Sequence, residues 1–215
     1  MSRFRAQKPD AEAQWLLDLI QSRASPRLDS FASAPEARAQ FAANCKPLDL
    51  KPIEMEAVVD HRIPDATGVD KMLVRDFRPK TSAGGKTGAL VYLHGGGWVV
   101  GSPDTHDNIC RLLAERAAAR VLSVDYRMGP EHRFPAAIDD CRAAWEWLAH
   151  AADGLGIDTA RIAVGGDSAG GNLAAVLALE LRRAMSPKPC LQVLIYPATD
   201  ASDAAPRDPA IDEGY

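Results

Sequence analysis

Ser168 is the residue whose setting points most directly to chemistry. It stands in Gly166-Asp167-Ser168-Ala169-Gly170. A serine flanked by glycines at this spacing fits a nucleophile held on a tight strand-to-helix turn, with its oxygen projecting from the end of a sheet. An activated serine hydroxyl attacks a carbonyl carbon, a base takes its proton, and N–H donors hold the oxyanion that forms. The glycines follow from that geometry. A side chain at Gly166 or Gly170 would collide with the neighbouring strand and helix, and glycine adopts unusual dihedrals cheaply. A helix starting at this turn brings free N–H groups and the positive end of its dipole to the reacting oxygen, with Ala169 as the nearest donor. Asp167 is assigned to local hydrogen bonding in the turn, because a carboxylate cannot reach around its own backbone to act as the base. Alone, a pentapeptide this loose also arises by chance.

The flanking elements supply the context that the turn requires. Ile162 to Val164 is an apolar strand-type run, and Leu173 to Leu181 is a helix-type run. A second source of donors lies upstream, where the buried-strand run Ala89-Leu90-Val91-Tyr92-Leu93 ends in His94-Gly95-Gly96-Gly97-Trp98. Three glycines let bare backbone approach a tetrahedral intermediate, so Gly95, Gly96 and Gly97 join Ala169 as candidate oxyanion donors. A plain glycine turn between strands leaves His94 unexplained. His94 is expected to brace this loop rather than act as base. Trp98 and His106 are candidate pocket residues, with His106 either lining the pocket or packing beside it.

These motifs resemble the hormone-sensitive-lipase-like family of α/β-hydrolase esterases. The resemblance rests on His94 to Trp98, on Tyr126-Arg127-Met128-Gly129-Pro130-Glu131-His132-Arg133-Phe134-Pro135-Ala136-Ala137, and on Gly166 to Asn172, and it covers essentially the whole chain. Met128-Gly129 departs slightly from the family's usual Leu-Ala. The resemblance implies an α/β-hydrolase fold, a mostly parallel sheet with helices on both faces. It also implies short-chain carboxylic esters as substrates, cleaved by acyl transfer through Ser168 without metal or cofactor. Residues 1–50 correspond to an N-terminal helical cap region and 51–215 to the hydrolase core.

The base is the difficulty. In this fold the triad runs Ser, then Asp or Glu, then His along the chain, yet His61, His94, His106, His132 and His150 all precede Ser168. The family has eight strands, its acid following the seventh and its histidine the eighth, whereas only six strands are legible here. The expectation is therefore a core incomplete at its C-terminal end, lacking the triad histidine and acid. Asp208-Pro209-Ala210-Ile211-Asp212-Glu213 mimics the family's acid motif but follows the sixth strand too soon, and reads as a solvated acidic loop. The alternative is a hydrolase-like binding protein or inactive fragment that keeps a pocket and no base. Of the other histidines, His132 is read as bracing its loop within a polar network with Glu131 and Arg133. His61 and His150 are read as surface positions.

Composition narrows the remaining classes. With 215 residues, 47% hydrophobic and 25% charged, the chain has the make-up of one soluble globular domain. A net charge of −4 gives no reason to expect nucleic-acid binding. No signal peptide or membrane-spanning run is legible, so a cytoplasmic location without membrane contact is expected. Cys45, Cys110, Cys141 and Cys190 are widely spaced and read as reduced core cysteines.

The order of elements follows from periodicity. Amphipathic spacing predicts a helix from Asp10 to Arg23, with Trp15, Leu16, Leu19 and Ile20 inward and Leu17 flanking. A second helix starts at Ser33-Ala34-Pro35 and runs to about Asn44. Together these two either form a lid or cover one sheet face. Strands are predicted at Ile53–His61 and Lys71–Phe77, paired antiparallel at one edge, then at Gly88–Leu93, Arg120–Tyr126, Ile162–Val164 and Leu191–Tyr196. Helices are predicted at Thr105–Ala118 (Ile109, Leu112 and Leu113 inward), Pro135–Ala151 and Asn172–Arg183. Strands alternating with helices imply a parallel sheet covered on both faces. Leu191–Tyr196 is expected to be an exposed apolar edge, through which the chain self-associates.

Overall fold

The computed structural model describes residues 10–22, 31–46, 51–69, 71–80 and 85–200. The chain divides into two units, one of Met1–Phe31 with Thr199–Tyr215 and one of Ala32–Ala198. The first contains α1 (Ala11–Ser22), started by Asp10, whose carboxylate accepts from Ala13 N at 2.8 Å. Trp15, expected to face inward, is 65% exposed, while Leu17 and Leu19 are half-buried. The acidic segment 208–213 lies outside the described residues.

The second unit opens with α2 (Ala34–Cys45), capped by Ser33 and carrying Pro35 in its first turn. This helix, grouped with a cap on sequence grounds, belongs to the same unit as the sheet. The sheet follows with β1 (Ala57–Pro64), β2 (Lys71–Arg78), β3 (Thr87–Leu93), β4 (Arg120–Val124), β5 (Ile157–Asp167) and β6 (Gln192–Ile195). Its order is β1-β2-β4-β3-β5-β6. β1 pairs antiparallel with β2 and β2 with β4, and the other pairings are parallel. Between the strands run α3 (Asp107–Ala117), α4 (Ala136–Ala151) and α5 (Ser168–Leu181).

Several boundaries moved for identifiable reasons. β1 starts at Ala57 rather than Ile53 because its partner ends at Arg78, and the following Pro79 has no N–H to continue the ladder. β5 extends back to Ile157, with an irregular register between Thr87 and Ala89 of β3. α5 starts at Ser168 itself rather than at Asn172.

Strand alternation sorts the core into two faces. Val91 and Leu93 of β3 join Leu122 and Val124 of β4 against Trp145, Leu148, Leu177 and Leu181 of α4 and α5. Leu90 and Tyr92 point the other way, with Phe77 and Val121, against Cys110 and Ala114 of α3. The buried stripe of α3 is Cys110 and Ala114, with Ile109 and Leu113 half-buried beside it; Leu112, expected inward, is 39% exposed. Cys110 and Cys141 are buried as expected, but Cys190 is exposed, and none of the four cysteines forms a disulfide.

Two buried carboxylates hold polar parts of the unit together. Asp76, fully buried, takes both an Nε and an Nη bond from Arg120, a 3.0 Å bond from Arg78, and lies 3.6 Å from His61 Nε2. His61, read as a surface residue, is mostly covered, since its ring packs 5.2 Å from Trp147. Asp140, also fully buried, accepts from Arg127 N at 2.9 Å, from its guanidinium twice at 2.8 Å, and from Ala66 N at 3.1 Å. That set fixes the segment after β4. β6 has a strand neighbour on one side among the described residues, with Leu194 41% and Leu191 59% exposed.

Candidate active site

Ser168 lies where β5 ends and α5 begins, with φ +51°, and it is half-buried. The left-handed conformation expected of the glycines therefore falls on the serine, where it costs strain of order 1–3 kcal/mol that the surroundings must hold. Gly166 and Gly170 serve by their size alone. A Cβ at Gly170 would overlap the carbonyl oxygens of Leu93 and His94, and one at Gly166 would overlap Leu93 O and the Gly170 backbone. Those neighbours are backbone, so they cannot yield. The turn is thus pressed against the end of β3, where the glycine loop begins. Downstream, Ala198 N donates to Ser168 O at 3.0 Å and Asn172 Nδ2 to Ala198 O at 2.7 Å.

Asp167 does more than local work. It occupies the N-cap of α5, yet its side chain makes no capping bond. Its Oδ1 accepts instead from Tyr92 Oη at 2.7 Å and from Gly95 N at 3.0 Å, and His106 Nε2 lies 3.4 Å away. Burial alone pushes this carboxyl up. His106, the Tyr92 hydroxyl and the Gly95 N–H outweigh that and leave it below the ordinary 3.8. The Tyr92 hydroxyl is held well above its ordinary range by burial and by the Asp167 charge. A single carboxylate therefore ties the turn at Ser168 to the glycine loop and to the start of α3.

That bond bears on the expected donors. Gly95 N–H is committed to Asp167 and is not free for an oxyanion. Gly96 N and Gly97 N donate to nothing among the described residues, and Ala169 N sits in the first turn of α5, where no intrahelical acceptor exists. Gly96 has φ +122°, and a Cβ there would overlap Val100 O, so the loop can form only with glycine at this position. Val99 N and Val100 N close the turn onto Gly96 O at 3.0 and 2.9 Å.

His94 is fully buried beneath the loop, with its ring stacked 4.4 Å from Tyr126 and tilted 5.5 Å from the ring of His106. Its Nδ1 is 2.9 Å from Gly95 O, which can only accept, so Nδ1 carries the proton. Nε2 then presents a bare lone pair with no partner among the described residues. Burial lowers the ring's pKa to about 4, so it is neutral near pH 7. Tyr126 Oη donates to His94 O at 2.7 Å, bracing the same stretch. Trp98 is half-buried, with φ +60°, and packs against the larger core face.

Two further residues had no sequence signal. Arg38 of α2 donates from Nε to Val99 O at 2.7 Å, from Nη2 to Gly129 O at 2.8 Å, and to both oxygens of Glu131 at 2.9 and 2.7 Å. The partner of Glu131 is thus Arg38 rather than Arg133 or His132, both of which are exposed. Tyr196, just past β6, has φ +35° and is 71% exposed; burial and then the Asp167 charge raise its pKa. A regular apolar strand run gives no sign of either. His150 is exposed at the far end of α4.

Among the described residues, Ser168 Oγ makes no hydrogen bond, and no group of three or more His, Cys, Asp or Glu is arranged to hold a metal ion. No helix among them is long and apolar enough to cross a membrane. Ser168 is half-buried, and the N–H groups of Gly96 and Gly97 have no acceptor among the described residues.

Known proteins are similar to this chain in sequence and fold. A family model described as alpha/beta hydrolase fold matches residues 90–214. Ethyl acetate hydrolase of Pseudomonas putida is 44% identical over 186 residues, which are 85% of this chain and 58% of that protein. Carboxylic ester hydrolase LipN of Mycobacterium tuberculosis is 46% identical over 169 residues, 76% of this chain and 44% of that one. An alpha/beta hydrolase enzyme from the metagenome of Lake Arreo, Spain, superposes with a TM-score of 0.83 at 39% identity, covering 89% of this chain and 61% of its own. The hyperthermophilic esterase from the archaeon Pyrobaculum calidifontis gives 0.81 at 39% identity, with 89% and 60% covered. The chain thus spans about half the length of the curated relatives it matches.

Proposed function

The chain belongs to the alpha/beta hydrolase fold family, in its hormone-sensitive-lipase-like branch, and on that premise we propose that it carries the nucleophile and oxyanion site of a carboxylic ester hydrolase. The observation that carries the reading is the Asp167 bond to Gly95, which fastens the glycine loop against the turn holding Ser168. Ser168 Oγ attacks the ester carbonyl carbon and loses its proton to a base. Gly96 N, Gly97 N and Ala169 N hold the resulting oxyanion, and collapse of the intermediate breaks the bond to the alcohol, which takes the proton. The name of one relative, ethyl acetate hydrolase, supports short-chain esters.

One fact favours a second reading. All five histidines precede Ser168; His94 is buried beneath the loop with Nδ1 bonded to Gly95 O, and His106 lies against Asp167. On that reading the 215 residues bind an ester and polarise its carbonyl without turning it over. Hydrolysis of p-nitrophenyl acetate by the chain and by Ser168→Ala separates the two. The first reading expects turnover that Ser168→Ala reduces by at least about a hundredfold. Equal rates in the two proteins overturn it and leave the binding reading.

A further inference from the structure

We propose that Arg38 is a positioning residue for the oxyanion loop, so that α2 belongs to the machinery of the site rather than to its covering. The inference rests on the reading of the glycine loop as the oxyanion site. Arg38 reaches two segments far from it in sequence. Its Nε donates to Val99 O, and its Nη2 donates to Gly129 O. The two segments are also bonded to each other, Gly129 N donating to Trp98 O at 2.8 Å. Val99 is the residue whose own N–H closes the turn onto Gly96 O. Arg38 therefore grips the closing residue of the turn that carries Gly96 and Gly97.

Glu131 fixes the guanidinium from the other side with a two-oxygen fork. The fork leaves Nε and the remaining Nη2 proton aimed at the two carbonyls, which is a geometry that only a planar, five-donor group satisfies. A lysine ammonium places one charge and cannot span these acceptors. The loop needs such a brace, because Gly96 and Gly97 both hold positive φ, and glycine backbone loses the most freedom when it is fixed. Asp167 anchors the loop at Gly95, where it leaves β3. Arg38 anchors it at Val99, where it returns. The two free N–H groups lie between these anchors.

The test uses the full 215-residue chain and two readouts. The first is amide hydrogen exchange in peptides covering 95–101 and 127–132, where the N–H groups of Val99, Val100 and Gly129 report whether the loop is closed. Arg38→Ala and Arg38→Lys are each expected to speed exchange there by about tenfold or more while peptides of β3 and β5 exchange as in the wild type. Millimolar guanidinium is expected to restore protection in Arg38→Ala. The second readout is hydrolysis of p-nitrophenyl acetate, where the loss is expected in kcat with KM little changed and with partial rescue by guanidinium. Wild-type exchange in both peptides overturns the proposal. So does a uniform acceleration across the sheet, which makes Arg38 a general stability residue. If Arg38→Ala does not fold, Arg38→Gln, which keeps one donor arm, is read in the same way. A wild type no faster than Ser168→Ala defeats the esterase reading, while the exchange arm still decides whether Arg38 holds the loop.

Discussion

Removing the Asp167 carboxylate tests the centre of this arrangement. In Asp167→Ala, Tyr92 Oη–H and Gly95 N–H lose their acceptor, and both are buried. Each orphaned buried donor costs about 1–3 kcal/mol. The sum is roughly 2–6 kcal/mol, from which the recovered desolvation of a buried carboxylate must be subtracted. A net loss of about 2–4 kcal/mol is expected, a large fraction of the ~5–15 kcal/mol typical of a domain. Asp167→Asn keeps an acceptor oxygen and should lose only about 1–2 kcal/mol. Urea unfolding of the two variants, of Tyr92→Phe and of the Tyr92→Phe/Asp167→Ala double variant completes a cycle. If the Tyr92 hydroxyl is held by Asp167, its removal costs stability in the wild type and little in Asp167→Ala, giving a coupling well above the ~0.5 kcal/mol of independent sites. The pH dependence has a defined sign. The folded carboxyl sits below the ordinary 3.8, so its contribution is full above that pH and is lost as the pH falls through the lower folded value. Additive single variants, or an Asp167→Ala loss under about 1 kcal/mol, would refute the idea that this carboxylate fastens the loop to the turn.

Gly170→Ala is expected to cost at least about 3 kcal/mol or to prevent folding, because its Cβ would overlap the carbonyl oxygens of Leu93 and His94; near wild-type urea unfolding would contradict the close approach of turn and loop. His94 offers a test at acid pH. Its pKa of about 4 in the fold against about 6.5 in the unfolded chain means that the unfolded state binds the extra proton, so stability falls as the pH drops from 6.5 to 4, by about 3 kcal/mol in all. An NMR titration of the ring with a midpoint near 6.5 would remove that contribution.

The parts of the fold that were legible are those written in continuous or alternating apolar runs. Seven-residue β3 buries Ala89 to Leu93 in succession, and such a run has one reading, a strand covered on both faces. The start of α2 was equally plain, because Ser33 and Pro35 act within one turn of each other. The inward face of α3 was misjudged at Leu112 for a physical reason. Small residues, Cys110 and Ala114, take the tightest positions against Tyr92 and Val121, and the larger leucine is left toward solvent. Hydrophobicity alone ranks leucine first, whereas close helix–sheet packing favours the smaller side chains.

The proposed site is legible as a set of residues and not as a set of bonds. Ser168, Gly96, Gly97 and Ala169 follow from local patterns, but the fate of Gly95 depends on a carboxylate 72 residues away, and the brace on Val99 on a guanidinium 61 residues away. Asp167 makes the point most sharply. An aspartate before a helix is ordinarily its N-cap, accepting from the N–H groups of the first turn. In the proposed site those N–H groups are the ones an oxyanion would need. If Asp167 capped α5, its charge would occupy the donor position of Ala169 and, on the proposed reading, would repel an oxyanion there. By turning its carboxylate across to Tyr92 and Gly95, the same residue leaves the first turn of the helix uncapped and fixes the opposing donors in place. The local rule for a helix start and the requirement of the proposed site therefore conflict at this position, and the long-range bonds follow the latter.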